Sequence, residues 1–497
     1  MLKKIRIVLA AVMMTLITLL LLDISGVLHH WLGWVAKIQF LPALFANLVI
    51  ALVIMCLTFV FGRIYCSVIC PLGIMQDIIA YRPRKKHRYS YSPAKNWLRY
   101  VVLSLFVVAF FVGVNSFVAL LAPYSSYGRI VQNLFQPFVI WGNNLLSAIA
   151  EHYGRYAFYP REVWIRSIPT FVIAAVTFVA IVVLAWRNGR TYCNTICPVG
   201  AYLSLISRFS VLRIQFDPDK CKQCGKCEHS CKASAIDFKN MKVDLSRCVV
   251  CGNCLEECKF DALHYKAVKF AKSIAVKEMS KAVEDAPVDV SRRSFLVGAA
   301  LATASVALAQ DKKKVDGGLA EIEDKIAPER HTPITPPGSI SAANMHRLCT
   351  GCQLCVSKCP NNVLRPSTGL MNLMQPTMSY ERGYCRPECH TCSEVCPTDA
   401  IRLIDLAEKS SIQIGHAVWV AKNCIAVANR VPCGNCAKHC PVGAITMVKL
   451  TDGDNMAPMV PAVNEARCIG CGACENLCPA RPFSAIYVEG HEVHKEI

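Results

Sequence analysis

Acidic residues are scarce in this chain. Its 497 residues hold 35 Asp and Glu against 54 Lys and Arg, a formal net charge of +19. The motifs GxGxxG and Cys-x2-Cys-His are absent, and no flavin attachment motif is evident. Lacking the dinucleotide and flavin motifs, the chain has no means of its own to draw on NADH. Lacking the third, it has no haem c. Cys385 and Cys389-His390 come nearest, but three residues separate the two cysteines. No basic stripe with interleaved aromatics is present either, so the positive charge does not indicate nucleic acid. In a membrane protein it marks cytoplasmic loops rich in Lys and Arg.

Apolar sequence, by contrast, is abundant: 54% of residues are hydrophobic and the mean hydropathy is +0.35. Four uncharged runs stand out: Ile7 to Leu22, Ile38 to Gly62, the stretch from after Arg99 to about Leu121, and Ser167 to Trp186. A helix of about 20 apolar residues crosses the hydrocarbon core, so four spans are expected, the first borrowing from its flanks. Seven Lys and Arg lie between Arg63 and Asn96, against three between Pro123 and Ile165. That asymmetry puts the N-terminus and the loop after the second span inside. Ile130 to Ala150 is also uncharged, but Asn, Gln, Pro and Gly interrupt it, and it reads as interfacial or re-entrant.

An internal repeat supports an even count. The segment from Gly62 to Gly73 and that from Gly189 to Gly200 are identical at eight of twelve positions. Each contains Cys-x3-Cys-Pro, with Cys66 and Cys70 in the first copy and Cys193 and Cys197 in the second. Positions i and i+4 share a helix face, so each pair can present two thiolates at the cytoplasmic surface. The copies could converge on a four-thiolate site, or each could cycle as a disulfide. Soft thiolates suit Cu(I), Zn or an iron–sulfur centre. Cys56, inside the second span, reads as a small packed core residue.

There are 29 cysteines, and 24 of them fall into six groups of four. Their recurrent C-x2-C-x2-C-x3-C spacing is that of bacterial ferredoxins. The first two runs are Cys221, Cys224, Cys227, Cys231 and Cys248, Cys251, Cys254, Cys258. In two-cluster ferredoxins the fourth cysteine of a run ligates the other cluster. That predicts one cluster on Cys221, Cys224, Cys227 and Cys258, and another on Cys248, Cys251, Cys254 and Cys231. Four more runs come later, each ending in Cys-Pro. They are Cys349, Cys352, Cys355, Cys359; Cys385, Cys389, Cys392, Cys396; Cys424, Cys433, Cys436, Cys440; and Cys468, Cys471, Cys474, Cys478. Six 4Fe-4S clusters are expected, with the pairing among the last four runs left open by spacing alone.

Between the two cysteine-rich regions stands Ser291-Arg292-Arg293-Ser294-Phe295-Leu296, an apolar run to Leu308, and Ala307-Leu308-Ala309. This has the form of a twin-arginine export signal. Uncut, it would be a fifth membrane helix, and the chain beyond it would lie outside. Residues 263–290 read as a linker or surface helix, and 310–343 as a Pro-rich flexible tether. The expected architecture is an α-helical membrane domain of four helices in two repeats, with a fifth if the signal stays uncut, plus two α+β bacterial-ferredoxin-like domains. The boundaries are 1–210 for the membrane domain, 211–265 for a cytoplasmic two-cluster domain, 266–345 for the linker with its signal at 291–310, and 346–497 for an exoplasmic four-cluster domain.

On these motifs, residues 1 to about 270 resemble the NapH-type membrane ferredoxins of periplasmic nitrate reductase systems. Residues from Ser291 onward resemble the NapG/MauM-type exported ferredoxins. The Cys-x3-Cys-Pro motif is also shared with NosR-type and CcoG-type proteins, the latter linked to copper reduction. The resemblance implies a fusion of the two ferredoxin types in a bacterial inner membrane. It would act as a quinol dehydrogenase module, passing electrons from the quinol pool to a periplasmic reductase or c-type cytochrome. A metal reductase or assembly factor built on the Cys-x3-Cys-Pro motifs is the alternative. His29 and His30, near the outer end of the first span, are candidates for a quinone site.

Overall fold

Helix α1 (Leu2–Leu22) contains no Pro or Gly and is rich in Leu, Ala and Met, so nothing interrupts it. At 1.5 Å per residue its 21 residues extend about 30 Å. Ile17, Leu20 and Leu21 are buried, while Val8, Leu9, Val12 and Leu19 are exposed. A later helix, Ile168–Asn188, buries Ala174, Ile181 and Ala185 and exposes Val172, Val176, Val179 and Val183. Both helices are long and apolar enough to cross a membrane, and exposed apolar bands of this kind mark a surface made for lipid or protein.

In this computed structural model the described residues are 2–23, 26–81, 89–156, 158–267, 323–451 and 457–497. The twin-arginine segment 291–310, the basic stretch 82–88 and residues 268–290 lie outside them. Residues 1–266 and 325–497 form one unit.

The other expected spans turn out differently. After α2 (Val27–Lys37), which packs back on α1, the single helix expected over Ile38 to Gly62 is two. These are α3 (Phe40–Ala46) and α4 (Leu48–Phe61). Asn47 separates them, its side chain accepting hydrogen bonds from Val49 N and Ile50 N as an N-cap. Cys56 is exposed rather than packed in a core, because α4 turns Ala51, Ile54 and Thr58 inward instead.

Two short helices come next, α5 (Tyr65–Val68) and α6 (Pro71–Ile79). The third span is also divided, into α7 (Asn96–Val112) and α8 (Asn115–Leu121), by Gly113 in the left-handed conformation. The stretch expected to be re-entrant is helical throughout: α9 (Pro123–Ile130), a π turn at Val131–Phe135, and α10 (Gln136–His152). Its polar residues bind backbone groups: Gln132 donates to Leu21 O at 3.0 Å and Ser147 to Phe158 O at 2.8 Å. All of α9 is buried, against α6 and α11 (Ile168–Asn188). The second repeat then gives α12 (Thr191–Thr195) and α13 (Pro198–Ser207).

The two cysteine-rich regions meet opposite ends of α1. At its start, Lys3 pairs with Glu256 and packs on Gly252. Beyond its end, Asp23 pairs with Lys358 at 2.7 Å, both side chains 2% exposed. The first region is built on β1 (Leu212–Phe216) paired with β4 (Leu263–Ala267), and on the hairpin β2 (Ile236–Asp237) with β3 (Lys242–Val243). The second adds the hairpins β5 (Leu364–Pro366) with β6 (Pro376–Met378) and β8 (Ile445–Lys449) with β9 (Met459–Val463). It also has antiparallel β7 (Ile412–Trp419) with β10 (Ile486–Glu496).

Residues 325–341 are not a loose tether. Arg330 pairs with Glu475 at 2.5 Å, Met378 N donates to Ile334 O at 2.9 Å, and Ile334, Thr335 and Ser339 are buried. Proline's fixed φ suits such a docked, extended strap as well as it suits a linker.

Candidate metal centres

Each ferredoxin-like run places its first cysteines in a loop, its third on a short helix and its fourth just beyond that helix. Cys227 lies in Lys226–His229 and Cys254 in Asn253–Glu257. The chain then leaves, so the fourth sulfur faces a neighbouring run. Site 1 is a pocket lined by Cys221, Cys224, Cys227 and Cys258, with Phe216, Phe238 and Phe260 around them. In site 2, Cys231 lies beside Cys248, Cys251 and Cys254. Each gathering brings together the four cysteines that the sequence reading grouped, with no ligation itself on view.

The structure also supplies the pairing that spacing left open. Site 3 joins Cys349, Cys352 and Cys355 with Cys396. Site 4 joins Cys385, Cys389 and Cys392 with Cys359. Site 5 joins Cys468, Cys471 and Cys474 with Cys440. Site 6 is a pocket lined by Cys424, Cys433, Cys436 and Cys478, under Trp419 and Ile425.

Fit to a 4Fe-4S cluster is tested by the polar groups around the sulfurs. Backbone N–H groups aim at cysteine sulfur in sites 1, 2, 3, 5 and 6, such as Ala262 N to Cys258 Sγ at 3.3 Å and Ala444 N to Cys440 Sγ at 3.2 Å. Hydrogen bonds to sulfur are a main lever on cluster potential. The Tyr124 hydroxyl is buried without a protein partner beside Cys352 and Cys396, where a cluster would present an acceptor. Lys409, buried, donates to Arg386 O and Cys389 O at site 4. Burial pushes the Cys248 thiol up to about 12 and Cys231 up to about 11, so ligation there must release protons.

Neighbouring sites form a series. Cys254 of site 2 lies within electrostatic reach of Cys227 of site 1. Cys355 of site 3 reaches Cys392 of site 4, Cys385 N donates to Cys471 O at 2.9 Å between sites 4 and 5, and Cys474 reaches Cys436 between sites 5 and 6.

The Cys-x3-Cys-Pro pairs are not on continuous helices and not at a surface. Cys66 lies in α5 while Cys70 precedes α6 as its N-cap, and Cys193 and Cys197 repeat this in α12 and α13. Pro at N1 starts the second helix in each copy, since it needs no N–H there. All four thiols are 4% exposed, and they lie within electrostatic reach of one another.

Residues outside the Cys-x3-Cys-Pro motif clasp the quartet. Arg63 donates to Cys193 O at 3.2 Å, and Arg190 donates to Cys66 O at 2.7 Å, each reaching across to the other copy. Both sit in the repeated Gly-Arg-x-Tyr-Cys, a signal available in the sequence. Asp77, which takes Arg6 at 2.7 Å and Arg190 at 2.8 Å, has no counterpart in the second copy and left no such signal.

Gly73 and Gly200 allow this closeness. A Cβ on either would lie less than 3.0 Å from the carbonyl oxygen of Cys66 or Cys193. Gly73→Ala and Gly200→Ala are each expected to destabilise by about 3 kcal/mol, the upper end of overpacking costs, because the obstacle is backbone. Thermal unfolding in detergent measures this. Gly142→Ala, inside α10 with nothing within 4 Å of its Cβ, is the control expected not to destabilise.

His29 Nε2 donates to Glu394 O, 3.3 Å away, which makes it a docking contact to the second cysteine-rich region.

Known proteins agree with this chemistry. Family models described as 4Fe-4S binding domains match residues 43–89 and 170–216, each holding one Cys-x3-Cys-Pro copy, and residues 214–237. Models of 4Fe-4S dicluster domains match residues 429–481 and 244–363. The second of these runs from site 2 into site 3, although in the structure those runs pair with other neighbours.

The ferredoxin-type protein NapF of Escherichia coli K12 is 29% identical over 163 residues, 32% of this chain and 87% of NapF. The methylamine utilization ferredoxin-type protein MauM of Paracoccus denitrificans is 28% identical over 202 residues, 38% of this chain and 83% of MauM. The putative electron transport protein YccM of Escherichia coli K12 is 24% identical over 200 residues, 38% of this chain and 47% of YccM. The chain thus carries multiple 4Fe-4S ferredoxin domains and is related, at low identity, to ferredoxin-type electron-transfer proteins.

Proposed function

We propose that the chain spans a bacterial cytoplasmic membrane and conducts electrons from quinol, through its 4Fe-4S centres, to an exoplasmic reductase or c-type cytochrome. The observation that carries this reading is the attachment of the two cysteine-rich regions to opposite ends of α1, an apolar helix about as long as a bilayer core is thick. The twin-arginine sequence between them is what export of the second region requires. Quinol yields two electrons and two protons, whereas each cluster takes one electron, so a series of centres suits the donor. The protein's part is to fix spacing and potential through burial, charge and hydrogen bonds to sulfur. The alternative, copper handling by the Cys-x3-Cys-Pro motifs, requires access for the metal, and the burial of all four thiols speaks against it.

The test is anaerobic addition of a menaquinol or ubiquinol analogue to the purified protein, followed by EPR. Clusters reduced on a catalytic timescale are the expected result. Clusters that stay oxidised with quinol, yet reduce with a reduced ferredoxin, would replace quinol by a low-potential cytoplasmic donor.

A further inference from the structure

Sites 2 and 3 sit at opposite ends of α1, a helix about 30 Å long. Electron tunnelling falls steeply with distance, so a conductor with nothing between those ends would stall. The Cys66, Cys70, Cys193 and Cys197 quartet lies between them. On one side, Arg63 joins it to site 2: the guanidinium contacts Cys66 Sγ at 3.8 Å and Ser246 O at 2.9 Å, two residues before Cys248. The second copy grips the same site, with Arg190 N donating to Lys232 O at 2.8 Å, directly after Cys231. On the other side, the buried Arg129 of α9 lies within electrostatic reach of both Tyr192, beside Cys193, and Cys352 of site 3.

The quartet's surroundings are those of an anionic cluster. Each sulfur has one N–H donor. Arg63 serves Cys66, Gln76 Nε2 serves Cys193 at 3.1 Å, Gly200 N serves Cys197 at 3.3 Å, and the Gly73 backbone serves Cys70. This matches the N–H donors at the ferredoxin-like sites. Charge points the same way. Arg6, Arg63, Arg99 and Arg190 are buried around the quartet, tied to one another through Asp77, Asn194 and Cys66. Among the described residues packed there, Asp77 is the one buried carboxylate. The half-buried Asp244 also acts on Arg99 but is itself paired with Arg247 at 2.7 Å. Buried charges need partners, and the four guanidiniums outnumber the carboxylates in reach, which leaves positive charge uncompensated. A 4Fe-4S cluster on four thiolates is a dianion when oxidised.

We propose that the two Cys-x3-Cys-Pro copies together hold one further 4Fe-4S cluster, on Cys66, Cys70, Cys193 and Cys197, which relays electrons between site 2 and site 3. The relay gains one electron from one neighbour and loses one to the other. No bond is made or broken and no proton is taken up. The reductant is a quinol or a ferredoxin-type donor, and the oxidant is a haem or metal centre of the partner. The relay role rests on the membrane-spanning reading, whereas the existence of the centre does not.

Cys70→Ser and Cys197→Ser in the full chain test it. Purified in detergent, each is expected to lose one cluster's iron while the EPR signals of the other six sites persist. In vesicles, electron transfer from external dithionite to trapped ferricyanide should fall to the rate of protein-free vesicles. Unchanged iron, or zinc or copper bound at the quartet of the parent protein, would overturn the centre. Iron lost with transfer unchanged would overturn the relay. Should the serine variants not fold, Gln76→Leu keeps every cysteine. It is expected to move one midpoint potential, and one only, to a more negative value, because an N–H to sulfur is lost. No shift in any potential would overturn the centre. Parent-protein vesicles that transfer nothing would overturn the relay and the spanning reading together, while iron content and the Gln76 shift still decide the centre.

Discussion

Cys396→Ser is expected to remove the cluster built on Cys349, Cys352 and Cys355, and to spare the one built on its own run. Cys359→Ser should do the reverse. The reason is the crossing of fourth cysteines: Cys396 faces Cys349 and Cys355, whereas Cys359 faces Cys385 and Cys392. Each loss takes one cluster's iron and, by analogy with structural metal sites, on the order of 10 kcal/mol of metal-linked folding free energy. Site 3 adjoins the buried α9, with a Cβ on Gly128 placed 2.6 Å from Cys352 O. Its loss should therefore also loosen the docking of the whole second region. Site 4 lies further along the series, and although His29 reaches Glu394 O beside it, its loss should loosen that docking less. Iron content, EPR and limited proteolysis separate the two variants. A Cys396→Ser protein that loses site 4 instead would show that runs ligate within themselves.

Asp77→Ala should be the most damaging change outside the cysteines. The carboxylate takes Arg6 at 2.7 Å, Arg190 at 2.8 Å and Lys232 at 3.6 Å, with Arg190 0% exposed and Asp77 9%. Removing one partner of a buried ion pair costs about 3–5 kcal/mol, because a charge is left buried and uncompensated. Here three cations lose the same partner, on α1, at the start of α12 and in the loop after Cys231. One substitution thus reaches the first span, the second repeat and site 2 together. Lower thermal stability with loss of site 2 iron is the expected result. A melting temperature equal to the parent's would show that the cations find other partners.

The legible and illegible parts of this chain divide by range. Cys-x2-Cys-x2-Cys-x3-Cys is a local pattern, so the sequence carries it in full, and for residues 221–258 the two runs are adjacent and their crossing can be inferred. Among the four later runs the partner is a matter of tertiary packing, and spacing holds no record of it. The repeat around Cys66 and Cys193 was visible, but the convergence of its copies was one option among several. The copies meet through Arg63 and Arg190 reaching across, tertiary contacts that spacing does not record. Helix breaks at Asn47 and Gly113 were hidden because single polar or small residues within apolar runs are common in membrane helices. Cys56 was misjudged because hydropathy alone does not give the helical phase that turns it outward. The Pro-rich strap at 325–341 was misjudged because the same composition serves a free linker and a docked one. Asp77, a lone acid in an acid-poor chain, shows its role only through its three partners.

The most direct measurement is transfer across a bilayer by the unaltered protein. Vesicles carrying it, with ferricyanide trapped inside and dithionite added outside, should bleach their trapped oxidant far faster than protein-free vesicles while the clusters cycle. Clusters that are reduced from outside with the trapped oxidant left untouched would contradict a conductor that spans the membrane.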